Sequence, residues 1–339
     1  MGWDTKLIRG ALCIALPATS IRVADATAQQ AGAVQVQVDN DGFNFWLRPA
    51  QRPDGEYTNG VRITTELARA PLWRRLMPGS PPCAEAASVP RCSTAQFVVG
   101  QEMYTPAEDS QPYTYAGWRT QRPYAGWLYG SAIVRSVGGS TSRSLGVTLG
   151  VTGPPSLAEQ AQRSAHRIMW RYTSQPVGWD TQIRFEPGII VTARQQWMPF
   201  SASMGGVRLL DAVVDVGGSV GNVITNAEGG AELRAGVNLS HPWRRARRRG
   251  PVELVAKIGV RGELVARNMF LDGNIVNPDR RVDSSPAVRT LHGAMGLRLG
   301  AVVISYAVTE RSREYATGPG SHTFSSVTMG IGGIPAAGR

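Results

Sequence analysis

The sequence predicts an all-β fold, a twelve-stranded antiparallel transmembrane β-barrel with one helix in an extracellular loop, and three observations predict it. The first is alternation. Val34, Val36 and Val38 alternate with Gln35, Gln37 and Asp39; Leu145, Val147, Leu149 and Val151 alternate with Gly146, Thr148 and Gly150; Val252, Leu254, Ala256, Ile258 and Val260 alternate with Glu253, Lys257 and Arg261. A period of two puts one set of side chains on each face of a strand. A soluble sandwich buries the apolar face, whereas a membrane barrel turns it to lipid and keeps the polar face inside. The second is length: several segments exceed the roughly five or six residues usual in globular sheets, and about ten suffice to cross a bilayer. The third is the rhythm of the connections, long after odd-numbered strands and mostly short after even-numbered ones, as expected when both termini lie in the periplasm.

Taken in order, residues 1–28 read as a signal peptide, leaving 29–339 as the barrel domain. Lys6 and Arg9 precede the apolar run ALCIALPA, and Ala26-Thr27-Ala28 forms an A-x-A cleavage site before Gln29. Cys13 leaves with the signal; Cys83 and Cys92 remain, and in an exported protein such a pair predicts one small disulfide loop. Two cysteines without a clustered histidine pair make a poor zinc site. Beyond the signal no apolar run approaches the length of a membrane helix. The formal net charge is +11 and nearly all of it is arginine, with Lys257 the one lysine beyond the signal. Arginine suits bidentate contacts to phosphate.

Strands are predicted near 33–39, 58–68, 94–103, 123–136, 142–152, 181–198, 205–220, 225–240, 251–268, 285–298, 300–312 and 321–332. The long connections are 40–57, 104–122, 153–180 and 269–284; the short ones are 137–141, 199–204 and a turn near 299. Two even-numbered connections are exceptions. The segment 69–93 carries the cysteine pair, and 241–250 carries WRRARRR (Trp243 to Arg249), read as a solvated periplasmic turn.

The predicted helix lies in GPPSLAEQAQRSAHRIMW, from Gly153 to Trp170. Ser156 and Glu159 have capping-box spacing, and Pro154 and Pro155 end the incoming strand. Leu157, Ala161, Ala165 and Ile168 fall on one side, with Glu159, Gln162, Arg163 and His166 over the rest. Gln162 and His166, at i and i+4, are surface neighbours. Taken alone they read more readily as two solvated residues than as a base with a positioning partner, because polar residues on a helix face are the default.

The topology collects further polar groups at the same outward rim: Asn40 and Asp41 ending the first strand, and Thr58 within YTNG opening the second. Their oxygens suit a hard cation such as calcium. Histidine supplies a base near neutral pH. Together they meet the two needs of ester hydrolysis, activated water and a stabilised oxyanion. No G-x-S-x-G elbow is present. Of the four histidines, His241 lies in a predicted periplasmic turn, His292 within a strand and His322 near the start of the last strand; His166 alone combines an outward loop, a helix and an amide neighbour.

The ordered set VDND (38–41), YTNG (57–60), MYTP (103–106), RPYAGW (122–127), Gln162-x-x-x-His166, GWDTQ (178–182) with EPG (186–188), and ARNMFLDGN (266–274) resembles the outer-membrane lipid A deacylases of the LpxR type. The resemblance covers most of the chain after the signal. It implies a monomeric twelve-stranded barrel in the bacterial outer membrane, with no nucleic-acid partner. Its site would face the outer leaflet, between the wall and the helix of an extracellular loop. The reaction implied is calcium-dependent removal of the 3'-linked acyloxyacyl group of lipid A, the lipid part of lipopolysaccharide. Carried over by motif, His166 resembles the general base and Gln162 its neighbour. Asn40, Asp41 and Thr58 resemble the wall residues that shape the substrate and oxyanion site and bind or position calcium.

The sequence departs from the family where RIMWRYTSQ (167–175) lacks the carboxylate often found after the histidine, for which Asp180 or Glu186 are candidates, and where the last segment lacks a terminal aromatic. Tyr124, Trp127 and Trp179 are expected in the aromatic girdle of the barrel, with substrate contact as the alternative. Arg119, Arg122, Arg280 and Arg281, on outward loops, are expected either to meet lipid A phosphates or to be solvated charge. Two other readings are a catalytically silent envelope barrel and a barrel esterase acting on phospholipid.

Overall fold

Along Val252–Asn268 the alternation becomes orientation. Val252, Leu254, Ile258, Val260 and Leu264 are exposed outward, while Glu253, Val255, Lys257 and Arg261 are buried. The computed structural model describes residues 33–44, 55–67, 81, 83, 91–106, 120–169, 177–243, 251–276 and 280–331. The expected signal peptide, Arg119, the run from Arg244 to Arg249 and the segment after Ile331 lie outside the described residues.

Twelve strands form a closed barrel: β1 (Val34–Asn40), β2 (Glu56–Leu67), β3 (Cys92–Thr105), β4 (Ala125–Val137), β5 (Thr141–Thr152), β6 (Pro187–Met204), β7 (Val207–Gly221), β8 (Ile224–Val237), β9 (Val252–Asn268), β10 (Ala287–Leu299), β11 (Val302–Ser312) and β12 (Ser321–Ile331). Each pairs antiparallel with its neighbours in the chain, and β1 closes on β12 from Val34 opposite Ile331 to Asn40 opposite Ser325. Closure removes every free sheet edge, which a spanning sheet in lipid requires. The seam is pinned at one end by Asn44, whose Nδ2 donates to the Thr323 carbonyl (3.0 Å) and whose Oδ1 accepts from the Ser325 hydroxyl (2.8 Å). Among the described residues two helices interrupt the strands: α1 (Ala158–Met169) between β5 and β6, and the single turn α2 (Met269–Asp272) after β9.

All twelve expected strands are present, and β6 is displaced at both ends. β6 begins at Pro187 rather than near 181, because Trp179–Thr181 turns as a short 3-10 segment and the Ile183 N–H is taken by the Tyr124 carbonyl at 2.9 Å. It then runs to Met204, so the expected connection 199–204 is strand. The chain reverses over Gly205 and Gly206, with φ of 57° and 73°, a left-handed pair that a two-residue hairpin needs and glycine supplies.

The lumen is filled by ion pairs. Arg261 reaches Asp215 (2.9 Å) and Glu228 (3.2 Å), Arg194 joins the same two carboxylates, Arg234 grips Asp211 through two hydrogen bonds (2.7 and 3.0 Å), and Arg298 meets Glu253 at 2.9 Å. These are the polar halves of the alternation, paired across neighbouring strands and, for Arg261 with Asp215 and Arg194 with Glu228, across the next strand over. A cavity of about 290 Å³ lies beside them, lined in part by Arg194, Glu228 and Lys257.

The end carrying the even-numbered connections is tied by the expected disulfide, Cys83 to Cys92. Trp243 packs against it with Val137 and donates its indole N–H to the Gly138 carbonyl at 2.8 Å, beside a His241 contact to Gly139 at 2.7 Å. The first residue of the basic run is therefore docked on the β4–β5 turn rather than solvated.

Candidate active site at the opposite rim

At the other end of the barrel β1 stops where Asn40 caps a 3-10 turn, Asp41–Phe43, its Oδ1 accepting from the Gly42 N–H at 2.8 Å. Its Nδ2 donates to the Thr58 carbonyl at 3.2 Å, across to β2. The Asp41 carboxylate is buried, with one oxygen accepting from Gly42 N (2.8 Å) and the other from Gly55 N (2.9 Å). Gly55 has φ of 120°, so the chain returns to β2 in a conformation that only glycine adopts readily. Thr58 sits in a register shift between Tyr57 and Asn59, and its hydroxyl shares a 2.6 Å hydrogen bond with that of Thr105, the last residue of β3. The bulge re-aims one side chain at the strand end. Asn40, Asp41 and Thr58 are thus brought into one hydrogen-bonded group.

Helix α1 leans on the next part of the wall, β3 and β4. Ala158 packs against Met103, Tyr124 and Trp179, with Ala161 joining them. Two features permit the close approach: Gly126 of β4, where a Cβ would collide with Ser156 and Ala158, and Gln101 of β3, which donates to the Ser156 carbonyl at 2.6 Å. Gln162 follows one turn after Ala158 and is 3 % exposed; its Oε1 accepts from the Trp179 indole N–H at 2.7 Å. His166, a further turn along, is partly buried.

Several expectations are corrected here. The capping box does not form: the Ser156 hydroxyl donates back to Gly153 O (2.6 Å), and Glu159 pairs with Arg163 at 2.9 Å. Pro154 and Pro155 drive a 3-10 turn that shifts the helix start past Ser156. Leu157 is 52 % exposed, and the buried face runs through Ala158 and Gln162 instead. Tyr124, Trp127 and Trp179 are not girdle residues; all three are buried, Trp127 inside the barrel near Phe270 and the other two under α1. Glu186 is engaged elsewhere, its oxygens accepting from Asn222 (2.9 Å) and the Ile275 N–H (2.8 Å), while Asp180 is exposed. Sequence reasoning missed the roles of Trp179, Gly126 and Met103, although GWDTQ, RPYAGW and MYTP carried all three.

Arg122 is also not available to a ligand at the surface. It is fully buried, pairs with Glu56 (3.1 Å) and Glu314 (3.5 Å), and lies over the Tyr104 ring at 4.6 Å. Tyr315 donates to Glu56 at 2.7 Å, and Arg311 reaches Glu314 at 3.2 Å. Burial alone would raise the Glu314 pKa; Arg311, His322 and Arg122 outweigh it and hold the carboxyl at about 2. Burial and the neighbouring Glu56 push the Tyr315 phenol up. Glu56, Glu314 and His322 lie close enough to share a metal. With two arginines already matching the two carboxylates, the cluster is an ion-pair knot that locks the rim. Arg280 is likewise engaged, donating to the carbonyls of Asp180 and Gln182 at 3.2 and 2.8 Å.

The family model described as outer membrane protein LpxR matches residues 10–332. The chain belongs to that family. It is a β-barrel of the bacterial outer membrane. LpxR from Salmonella typhimurium superimposes with a TM-score of 0.71 at 18 % identity, covering 89 % of this chain and 100 % of that one, so the two share a fold. The β domain of the Bordetella autotransporter BrkA matches at a TM-score of 0.44 and 11 % identity over 88 % of this chain and 98 % of its own, too distant to bear on the site. No curated protein matches the sequence.

Proposed function

We propose that this LpxR-family barrel is a lipid A 3'-O-deacylase, a carboxylic ester hydrolase acting in the outer leaflet of the outer membrane. The observation that supports the proposal is that an oxygen-rich group, Asn40, Asp41 and Thr58, and a helix bearing Gln162 and His166 stand at the same rim of the barrel. A helix satisfies its own backbone hydrogen bonds, so it can hold a base at lipid level where irregular chain could not.

The donor set suits calcium in kind: a buried carboxylate, a side-chain amide oxygen and a hydroxyl, with no sulfur or nitrogen ligand in the group. Asn40, Asp41 and Thr58 are the residues that would hold the ion, which when bound supplies an electrophile for the ester carbonyl oxygen. His166 accepts a proton from water as that water attacks the carbonyl carbon, and returns it to the departing alkoxide. Gln162 presents an amide beside it. The buried knot around Arg122 keeps the strand ends from shifting under this geometry.

The test is the lipid A mass spectrum of a host outer membrane carrying the protein, with calcium and with chelator, beside the His166→Ala variant. Loss of an acyloxyacyl unit only with calcium and only in the wild type is expected. Unaltered lipid A in the presence of a folded wild-type barrel overturns the proposal in favour of a silent envelope barrel. Faster release of fatty acid from purified phospholipid than from lipid A replaces the substrate.

A further inference from the structure

We propose that Trp179 is a positioning residue that fixes the side-chain amide of Gln162 so that its NH₂ group faces the reacting ester. The inference rests on the hydrolase reading above. It begins with a chemical asymmetry: an indole N–H only donates, whereas a glutamine amide has an accepting end and a donating end. Trp179 Nε1 lies 2.7 Å from Gln162 Oε1. The reverse orientation would set NH₂ against N–H, so the indole decides which end of the amide points where, a choice the amide's shape leaves open.

Trp179 is itself immobilised. It is 1 % exposed, its ring is tilted against Tyr124 with centroids 5.1 Å apart, and Met103 and Ala158 complete its cage. The turn that delivers it depends on Gly178, with φ of 107°, where a Cβ would press on the Tyr124 ring at 2.6 Å. The motif GWDTQ thus has a physical content: glycine lets the turn pack on Tyr124, and tryptophan aims one N–H at the helix.

With Oε1 engaged, Gln162 Nε2 is buried and has no hydrogen-bond acceptor among the described residues. A donor held in that state beside His166, one turn away on the same helix, is preorganised for an acceptor that arrives with the substrate. Donors fixed before the reaction stabilise developing negative charge without reorganising. Among the described residues, Trp179 is the group that keeps this donor from turning inward.

The experiment compares initial rates of purified protein on lipid A micelles for the wild type, Trp179→Phe, Gln162→Ala and the double variant. Trp179→Phe keeps an aromatic ring, smaller than the indole, and removes the N–H. Its kcat is expected to fall about tenfold, less than the roughly hundred- to thousandfold that outright loss of an oxyanion donor causes. KM, the calcium requirement and the pH profile should stay as in the wild type. On the Gln162→Ala background the same change should have no further effect, because Trp179 acts through the amide. Losses that multiply in the double variant, or a Trp179→Phe enzyme with wild-type kcat, overturn the inference while leaving the hydrolase reading intact. A folded but inactive wild type overturns both. If Trp179→Phe fails to fold, benzothienylalanine at position 179, with sulfur in place of the N–H, keeps the packing and takes its place in the comparison.

Discussion

In the proposed function Asp41 serves structure and chemistry together. Both carboxylate oxygens accept backbone N–H groups, from Gly42 and Gly55, which fixes the turn out of β1 and the entry into β2. Each oxygen has a second lone pair, so the carboxylate can hold the turn and still face a cation. Asp41→Asn is expected to raise the calcium concentration for half-maximal deacylation by about tenfold or more, since ligand charge sets affinity at such sites. Calcium titration of lipid A hydrolysis measures this; an unchanged midpoint would remove Asp41 from the metal group. Its role as a candidate was legible in the sequence because Asn40-Asp41 ends an alternating run. The role of Gly55 was not: Pro53-Asp54-Gly55 marks a turn, but nothing local tells that the glycine N–H reaches Asp41.

At the scale of elements, the strands divide their work by face. Outward residues are exposed aliphatics, and inward ones are ions paired across neighbouring strands, such as Asp211 of β7 with Arg234 of β8. Asp211 is fully buried, and removing Arg234 takes away both of its short hydrogen bonds and leaves it only the longer contact to Arg208 at 3.7 Å. Arg234→Met is therefore expected to destabilise the barrel by about 3–5 kcal/mol. The temperature at which the folded band gives way to the unfolded one in electrophoresis reports this, and an unshifted temperature would count against it. Deacylation at moderate temperature should survive, because the pair lies near the β6–β7 and β8–β9 turns, at the end away from α1. Helix α1 was legible from its period and its prolines. Which face it buries was not, because the helix starts after Ser156 and its contacts are set by Gly126 and Trp179, residues outside its own sequence.

For the whole molecule, the rim is held by a knot that joins four distant parts of the chain: Glu56 at the start of β2, Arg122 before β4, Glu314 and Tyr315 after β11, and His322 in β12. The Glu314 carboxyl is held at about 2 against an ordinary 4.5, a depressed pKa. A depressed carboxyl stabilises the fold above its unfolded pKa and loses that contribution as pH falls through the folded one. The contribution of Glu314 to rim stability should thus be complete above the ordinary carboxylate pKa and be lost between 4.5 and 2. Thermal unfolding followed by tryptophan fluorescence across that range checks it. Replacing Glu314 with Gln should remove the knot's share of the decline; a variant that keeps all of it would assign the transition elsewhere.

The sequence by itself determined the barrel, its twelve strands, their facing and the cysteine pair. A period of two and the length of a bilayer crossing are local properties, readable without knowing what lies opposite. It also named the residues of the candidate site, since the motifs occur in order along the chain. Only the tertiary structure decided that Arg122 is buried in an ion-pair knot, that Trp127 fills the lumen, and that Trp179 lies beneath α1 with its N–H on Gln162. Those outcomes depend on which residues meet across the closed wall. Contacts between positions far apart in sequence, such as Arg122 with Glu314 or Gln162 with Trp179, leave no periodic trace in the segments that make them.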